Sequence, residues 1–148
     1  MYIMQRHMSK YILSMYNKSM FISTFKYTKT HEYIKINKEN NIANIGISRY
    51  ALQNIGEIVY VDSPNINTAF KSKEPFTVLE STKAANDIYM PVNGVIIEIN
   101  NEYAESVINT DPLHTGWIVK IKYDKKDLEN IELMNEEEYE SYIKNLEL

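Results

Sequence analysis

A single lysine, Lys83, stands at a bend between two runs of strand-like residues, within Glu80-Ser81-Thr82-Lys83-Ala84. A lysine carried at a tight bend is held clear of a sheet, where another enzyme can reach its amine. The amine is acylated only in its deprotonated form, and a ligase pocket can supply that environment. A lone turn lysine is usually a solvated charge, so the flanking residues must carry the distinction. His31 is the other candidate for chemistry, as ligand or base. No second histidine or carboxylate stands at metal-ligand spacing from it, so a packed, hydrogen-bonded histidine is expected and no metal site. The chain has no cysteine, which excludes disulfides and thiolate zinc sites. Its glycines are Gly46, Gly56, Gly94 and Gly116, too dispersed for a phosphate-cradling loop, and neither H-E-x-x-H nor G-x-S-x-G occurs. These features suit a carrier, not an enzyme.

The elements that must position Lys83 read as follows. Phe76, Val78 and Glu80 alternate with Thr77, Leu79 and Ser81, the period of a strand. Asp87-Ile88-Tyr89-Met90 follows the bend, and Pro91 ends it. Asn93-Gly94 is a strong hairpin signal, and Val95 to Ile99 forms the next strand. Upstream, Tyr33 to Asn37 reads as a first strand and Ile42 to Ile47 as its return. Ser48 caps a short helix over Arg49 to Asn54, which Gly56 ends in a left-handed conformation. Ile58 to Val61 reads as a largely buried strand. Trp117, Val119, Ile121 and Tyr123 alternate with Ile118, Lys120 and Lys122, giving a closing strand with a basic outer face. The tail, Asp127 to Leu148, reads as helical, with Asn135 and Glu138 in a loose capping box. Tyr139, Tyr142, Ile143 and Leu146 share one face of it. Its glutamates read first as a solvated face, and second as a docking surface for a basic partner.

With 148 residues the chain accommodates one domain and one core. A net charge of −4 gives no reason to expect nucleic acid, and no apolar run is long enough to span a membrane. Residues 1–24 carry Arg6, Lys10 and Lys18 with no acid, among apolar residues and serines, the pattern of a mitochondrial targeting leader. The alternative is a basic tail. The remaining domain, 25–148, has 13 basic residues against 20 acidic ones and is distinctly acidic.

Glu80-Ser81-Thr82-Lys83-Ala84 resembles the lipoyl-attachment motif of the glycine cleavage system H proteins, usually E-S-V-K-A. Asp87-Ile88-Tyr89 and Pro91-Val92-Asn93-Gly94 resemble the family's continuation. Thr30-His31-Glu32-Tyr33 is similar to its opening, with Tyr33 in place of the more usual Trp. Asp111-Pro112-Leu113-His114-Thr115-Gly116-Trp117 keeps the spacing of D-P-Y-x-x-G-W. Two departures stand out: Lys73 occupies a position that is usually glycine before Glu74-Pro75, and the loop Asn101–Asn109 is shortened. A biotinyl carrier has Met on both sides of its lysine, whereas Thr82 and Ala84 flank this one.

The resemblance implies a mainly β, barrel-sandwich hybrid fold, a lipoyl-domain-like flattened β-barrel with short helices, including a C-terminal amphipathic helix. It implies lipoate bound covalently to Lys83, with Glu80 and Ala84 completing the attachment motif. Thr30, Glu32 and Asp87 occupy the positions that contact the parked arm. The implied function is to shuttle the aminomethyl group of glycine on the arm. The implied partners are glycine decarboxylase (P protein), aminomethyltransferase (T protein), dihydrolipoyl dehydrogenase (L protein), and a lipoate ligase or lipoyl/octanoyl transferase, in the mitochondrial matrix. Two alternatives are an interaction or lipoate-storage module without glycine cleavage activity, and a 2-oxo acid dehydrogenase lipoyl domain. Thr82 before Lys83, where those domains usually have Asp, argues against the latter.

Overall fold

Isoleucines set the frame. Ile34 and Ile36 on one strand, Ala43, Ile45 and Ile47 on the next, and Val119 and Ile121 near the end of the chain are all buried. Their alternation with Lys35, Asn44 and Lys120 gives each strand one inward face. The computed structural model describes residues 23–100 and 104–148. Among these residues nine strands form two antiparallel sheets. The larger runs in the order β1 (Ser23–Tyr27), β2 (Glu32–Asn37), β3 (Ile42–Ile47), β9 (Val119–Tyr123), β8 (Gly94–Ile99) and β5 (Ala69–Phe70). The smaller consists of β4 (Ile58–Val61), β6 (Pro75–Ser81) and β7 (Ala85–Tyr89), with β6 central. Ile58, Phe76, Leu79 and Ile88 of the small sheet join the isoleucines of the large one in a single core. The two sheets are packed on each other and do not close into a barrel. The mainly β barrel-sandwich hybrid that the resemblance implies is present, as two packed sheets.

Among the described residues four short helices decorate it: α1 (Arg49–Ile55), α2 (Ala104–Thr110), α3 (Lys125–Glu129) and α4 (Glu136–Leu146). Ser48 caps α1 by accepting from the Ala51 amide, as expected. Gly56 ends it with φ 89° and ψ −168°, beyond the left-handed helical region and in one that essentially only glycine occupies. Asn135 and Glu138 form a complete capping box at α4: the Glu138 amide donates to Asn135 Oδ1 and the Asn135 amide to Glu138 Oε2.

Several expectations need correction. Asn93-Gly94 is not a hairpin turn, because β7 and β8 belong to different sheets and do not pair. Pro91 ends the ladder, and the chain crosses from the small sheet to the large one. Gly94 serves close approach there: a Cβ would lie 2.8 Å from Ile121 Cδ1. The run Ile58 to Val61 is not largely buried. It is an edge strand in which only Ile58 is enclosed, while Val59 and Tyr60 are 52% and 51% exposed. A register shift between Ile58 and Tyr60 accompanies this. The tail is two helices, joined by a non-helical segment, residues 130–135, in which Met134 is bridged to Tyr27 by two backbone hydrogen bonds of 2.8 and 2.9 Å. Strand β1 was not foreseen, and it starts at Ser23, inside the range assigned to the leader. The rest of that leader lies outside the described residues. So does the first part of the Asn101–Asn109 loop, whose remainder is the unforeseen helix α2.

Candidate functional site

Strands β6 and β7 pair from Pro75↔Tyr89 to Glu80↔Ala85, and the connection between them carries Lys83. The turn is held by Ser81. Its amide donates to the Ala84 carbonyl (2.9 Å), and its Oγ accepts from the amides of Lys83 (3.1 Å) and Ala84 (3.3 Å). A side-chain acceptor of this kind closes a turn without glycine. Consistently, no residue from Thr82 to Ala84 has positive φ. The Thr82 amide reaches the Glu57 carbonyl at 3.3 Å, tying the turn to the segment after α1. Glu80, Lys83 and Ala84 are all exposed. Among the described residues Lys83 forms no ion pair. Its stem lies over Gly56, with Cε 3.7 Å and Nζ 3.9 Å from the point a Cβ there would occupy. The amine is thus displayed on a hydrogen-bonded, solvent-facing bend.

A second feature lies toward the opposite end of β7. A cavity of about 560 Å³ is lined by the turn Thr28–Thr30, by Tyr89–Pro91, by Ser72–Lys73 and by the segment Asn130–Leu133 that follows α3. Glu32 lies at its floor and is 1% exposed. Its carboxylate accepts from the hydroxyl of Thr28, the hydroxyl of Thr30 (2.5 Å) and the amide of Tyr89 (3.1 Å). Three donors offset the desolvation that burial of a carboxylate would otherwise cost. Tyr89 is six residues along the chain from Lys83, on the order of 20 Å of extended strand.

Of the expected arm-contacting residues, Thr30 and Glu32 line this cavity together. Asp87 does not; it is exposed on β7 opposite Val78. Sequence reasoning missed Tyr89, Lys73 and the Asn130–Leu133 wall. Only Lys73 had a linear signal, the missing glycine: its φ is +70° and its amide donates to the Met90 carbonyl. His31 is packed and hydrogen-bonded as expected, with Nδ1 2.9 Å from Tyr139 Oη. Burial pulls its pKa below the ordinary value, against an opposing effect of the Glu32 charge. Among the described residues no cluster of three or more metal-ligating side chains occurs, and no helix is long and apolar enough to cross a membrane.

A mainly β sandwich of two packed sheets, with one lysine displayed on a tight turn, is the class of module the structure defines. A family model described as glycine cleavage H-protein matches residues 25–146. A glycine cleavage system H protein of Halothermothrix orenii is 44% identical over 124 residues, covering 82% of this chain and 94% of that protein. One of Psychromonas ingrahamii is 45% identical over 120 residues, covering 79% and 94%. The crystal structure of a glycine cleavage system H protein from Mycobacterium marinum superposes with a TM-score of 0.70 at 26% identity, covering 84% of this chain and 98% of that one. The chain belongs to the glycine cleavage H-protein family, the lipoyl carriers of the glycine cleavage system. Members of this family carry lipoate on a lysine.

Proposed function

We propose that Lys83 is the lysine that carries lipoate, and that the chain is the shuttle of a glycine cleavage system. The observation that carries this reading is the display of Lys83 on the Ser81-braced turn between β6 and β7. The site fits the group: the amine is exposed, unpaired among described residues, and clear of the sheet. Acylation converts the ammonium to a neutral amide and lengthens the stem. When bound, lipoate supplies a reversible sulfur linkage for an aminomethyl group.

The chain's own residues then hold and orient. Ser81 fixes the attachment point, so motion is confined to the arm. The cavity above Glu32 takes the loaded end of the arm, with the Glu32 charge and the Thr28 and Thr30 hydroxyls facing a cationic aminomethyl group. Parking there excludes water from a linkage prone to hydrolysis. Asp87, exposed on the strand between turn and cavity, lies along the route. The chain leaves each chemical step to partners: glycine decarboxylase, aminomethyltransferase and dihydrolipoyl dehydrogenase, with a lipoate ligase or lipoyl/octanoyl transferase acting on Lys83. The family match begins at residue 25, and the preceding residues hold Arg6, Lys10 and Lys18 without an acid. That supports a leader to the mitochondrial matrix.

Intact-mass analysis with peptide mapping on protein from its native cells tests the attachment. One lipoyl increment confined to the Lys83 peptide is expected, and its absence from Lys83→Arg. Reconstitution with the three partner enzymes tests the shuttle. Full lipoylation without glycine-dependent turnover would overturn it in favour of a storage or interaction module.

A further inference from the structure

The cavity's two facing walls come from distant parts of the chain, and one helix touches both. Asn130–Leu133 forms one wall and leads directly through Asn135 into α4. The facing wall is the turn Thr28–Glu32, and α4 holds it at several points. Tyr139 Oη is 2.9 Å from His31 Nδ1 and 2.7 Å from Ser48 Oγ. The Tyr139 ring stacks on Tyr27, with centroids 4.4 Å apart and planes within 4°. Tyr142 Oη donates to the Lys29 carbonyl at 3.1 Å.

The bonds are continuous. Ser48 Oγ accepts from the Ala51 amide (3.1 Å) and shares a proton contact with Tyr139 Oη. Tyr139 Oη also bonds His31 Nδ1. The chain therefore runs from the α1 cap through Tyr139 to His31. His31 is next to Glu32 and has φ 75°, a conformation that a non-glycine residue holds only when its surroundings fix it. The His31 carbonyl also accepts from the Ser48 amide at 2.9 Å. Tyr139 is buried, 5% exposed, so this hydroxyl is chosen for its internal partners and not for solvent.

We infer that Tyr139 is a positioning residue of the arm cavity: through His31 it sets the Thr28–Glu32 wall, so the C-terminal helix fixes both sides of the space above Glu32. This inference rests on the cavity's role in holding the loaded arm. Tyr139→Phe keeps the ring stack and removes the hydroxyl alone. In the unlipoylated variant, amide hydrogen exchange at His31, Glu32 and Ser48 is expected to accelerate about fivefold, with Ile45 and Ile121 unchanged. That factor corresponds to ~1 kcal/mol, the worth of one such hydrogen bond, at 1.4 kcal/mol per tenfold. In the aminomethyl-loaded variant, the lifetime of the loaded arm in buffer is expected to shorten by a similar factor, while lipoylation of Lys83 keeps its rate. Tyr142→Phe, which frees the Lys29 carbonyl, should act in the same direction.

Uniform acceleration at core and wall amides would reduce Tyr139 to a packing residue and overturn the inference, as would unchanged exchange at His31 and Ser48. Glu32→Gln separates the two levels. An unchanged loaded lifetime in Glu32→Gln would defeat the cavity's role. A lifetime shortened by Glu32→Gln but not by Tyr139→Phe would defeat the positioning role alone.

Discussion

The stem of Lys83 lies across Gly56, a residue whose backbone (φ 89°, ψ −168°) is closed to side chains. The end of α1 and Lys83 are thereby close enough that a side chain at position 56 would touch the lysine, although 27 positions separate them in sequence.

Gly56→Ala tests that proximity. The added methyl meets Lys83 Cε at 3.7 Å, an ordinary contact, so the penalty is conformational and not steric. A loss of about 1–3 kcal/mol in unfolding free energy is expected by denaturant titration. Acylation of Lys83 should survive in the folded fraction, since nothing blocks the amine.

Lys73 holds φ +70° at a position where glycine avoids that cost. Replacing Lys73 by Gly relieves strain while adding unfolded-state entropy. The net is a stabilisation of up to about 1 kcal/mol, read as a raised urea midpoint. A lowered midpoint would show that the Lys73 side chain makes contacts worth more than its strain.

Asn109 on α2 makes both hydrogen bonds of a backbone pair with Ile58: Oδ1 accepts from its amide and Nδ2 donates to its carbonyl, each at 2.9 Å. It substitutes for a neighbouring strand at the outer edge of β4. Asn109→Ala leaves those groups unpartnered and is expected to cost about 1–3 kcal/mol. Amide exchange at Ile58 should rise more than exchange at Leu79.

The pH dependence follows from His31. Its folded pKa lies below the unfolded value of 6.5, because burial outweighs the nearby Glu32 charge. The unfolded chain therefore binds the proton more readily, and the folded state is favoured above that value. Stability contributed by His31 is lost as pH falls from about 6.5 toward the folded pKa. The groups around the ring are Glu32 and the tyrosines Tyr50, Tyr139 and Tyr142. Thermal unfolding from pH 7 to 5 should show a falling midpoint. His31→Asn, which tolerates positive φ, should flatten that slope. An unchanged slope would assign the effect to other groups.

What could be seen in the sequence was whatever depends on neighbours in the chain. The Lys83 turn, the Ser48 cap, the Asn135–Glu138 box and the closing strand to Tyr123 all are local patterns. Even the strain at Lys73 was visible, as a glycine that is not there. The misreadings share a cause. Asn93-Gly94 has the chemistry of a tight turn, but Gly94 is placed in the large sheet by Ile121 and Tyr123, far along the chain. Ile58 to Val61 is apolar throughout, and periodicity alone does not separate a buried strand from an exposed edge. The cavity was illegible for the same reason. Its walls come from four separate segments, and Glu32 meets the Tyr89 amide across 57 positions.

The placement of Lys83 in the turn before β7 and of Tyr89 at the far end of that strand has a consequence for how occupancy of the cavity responds to conditions. Any group carried on Lys83 is tethered beside its own host's pocket, at an effective concentration on the order of millimolar. Occupancy is then an intramolecular equilibrium, indifferent to dilution. A partner enzyme cannot obtain the carried group by waiting for it to diffuse away; it must offer a better site within reach of the same tether, or deform the pocket on docking. With the role proposed for the cavity, its affinity is thus bounded on both sides. It must be tight enough to hold the group between encounters and weak enough to lose it within one.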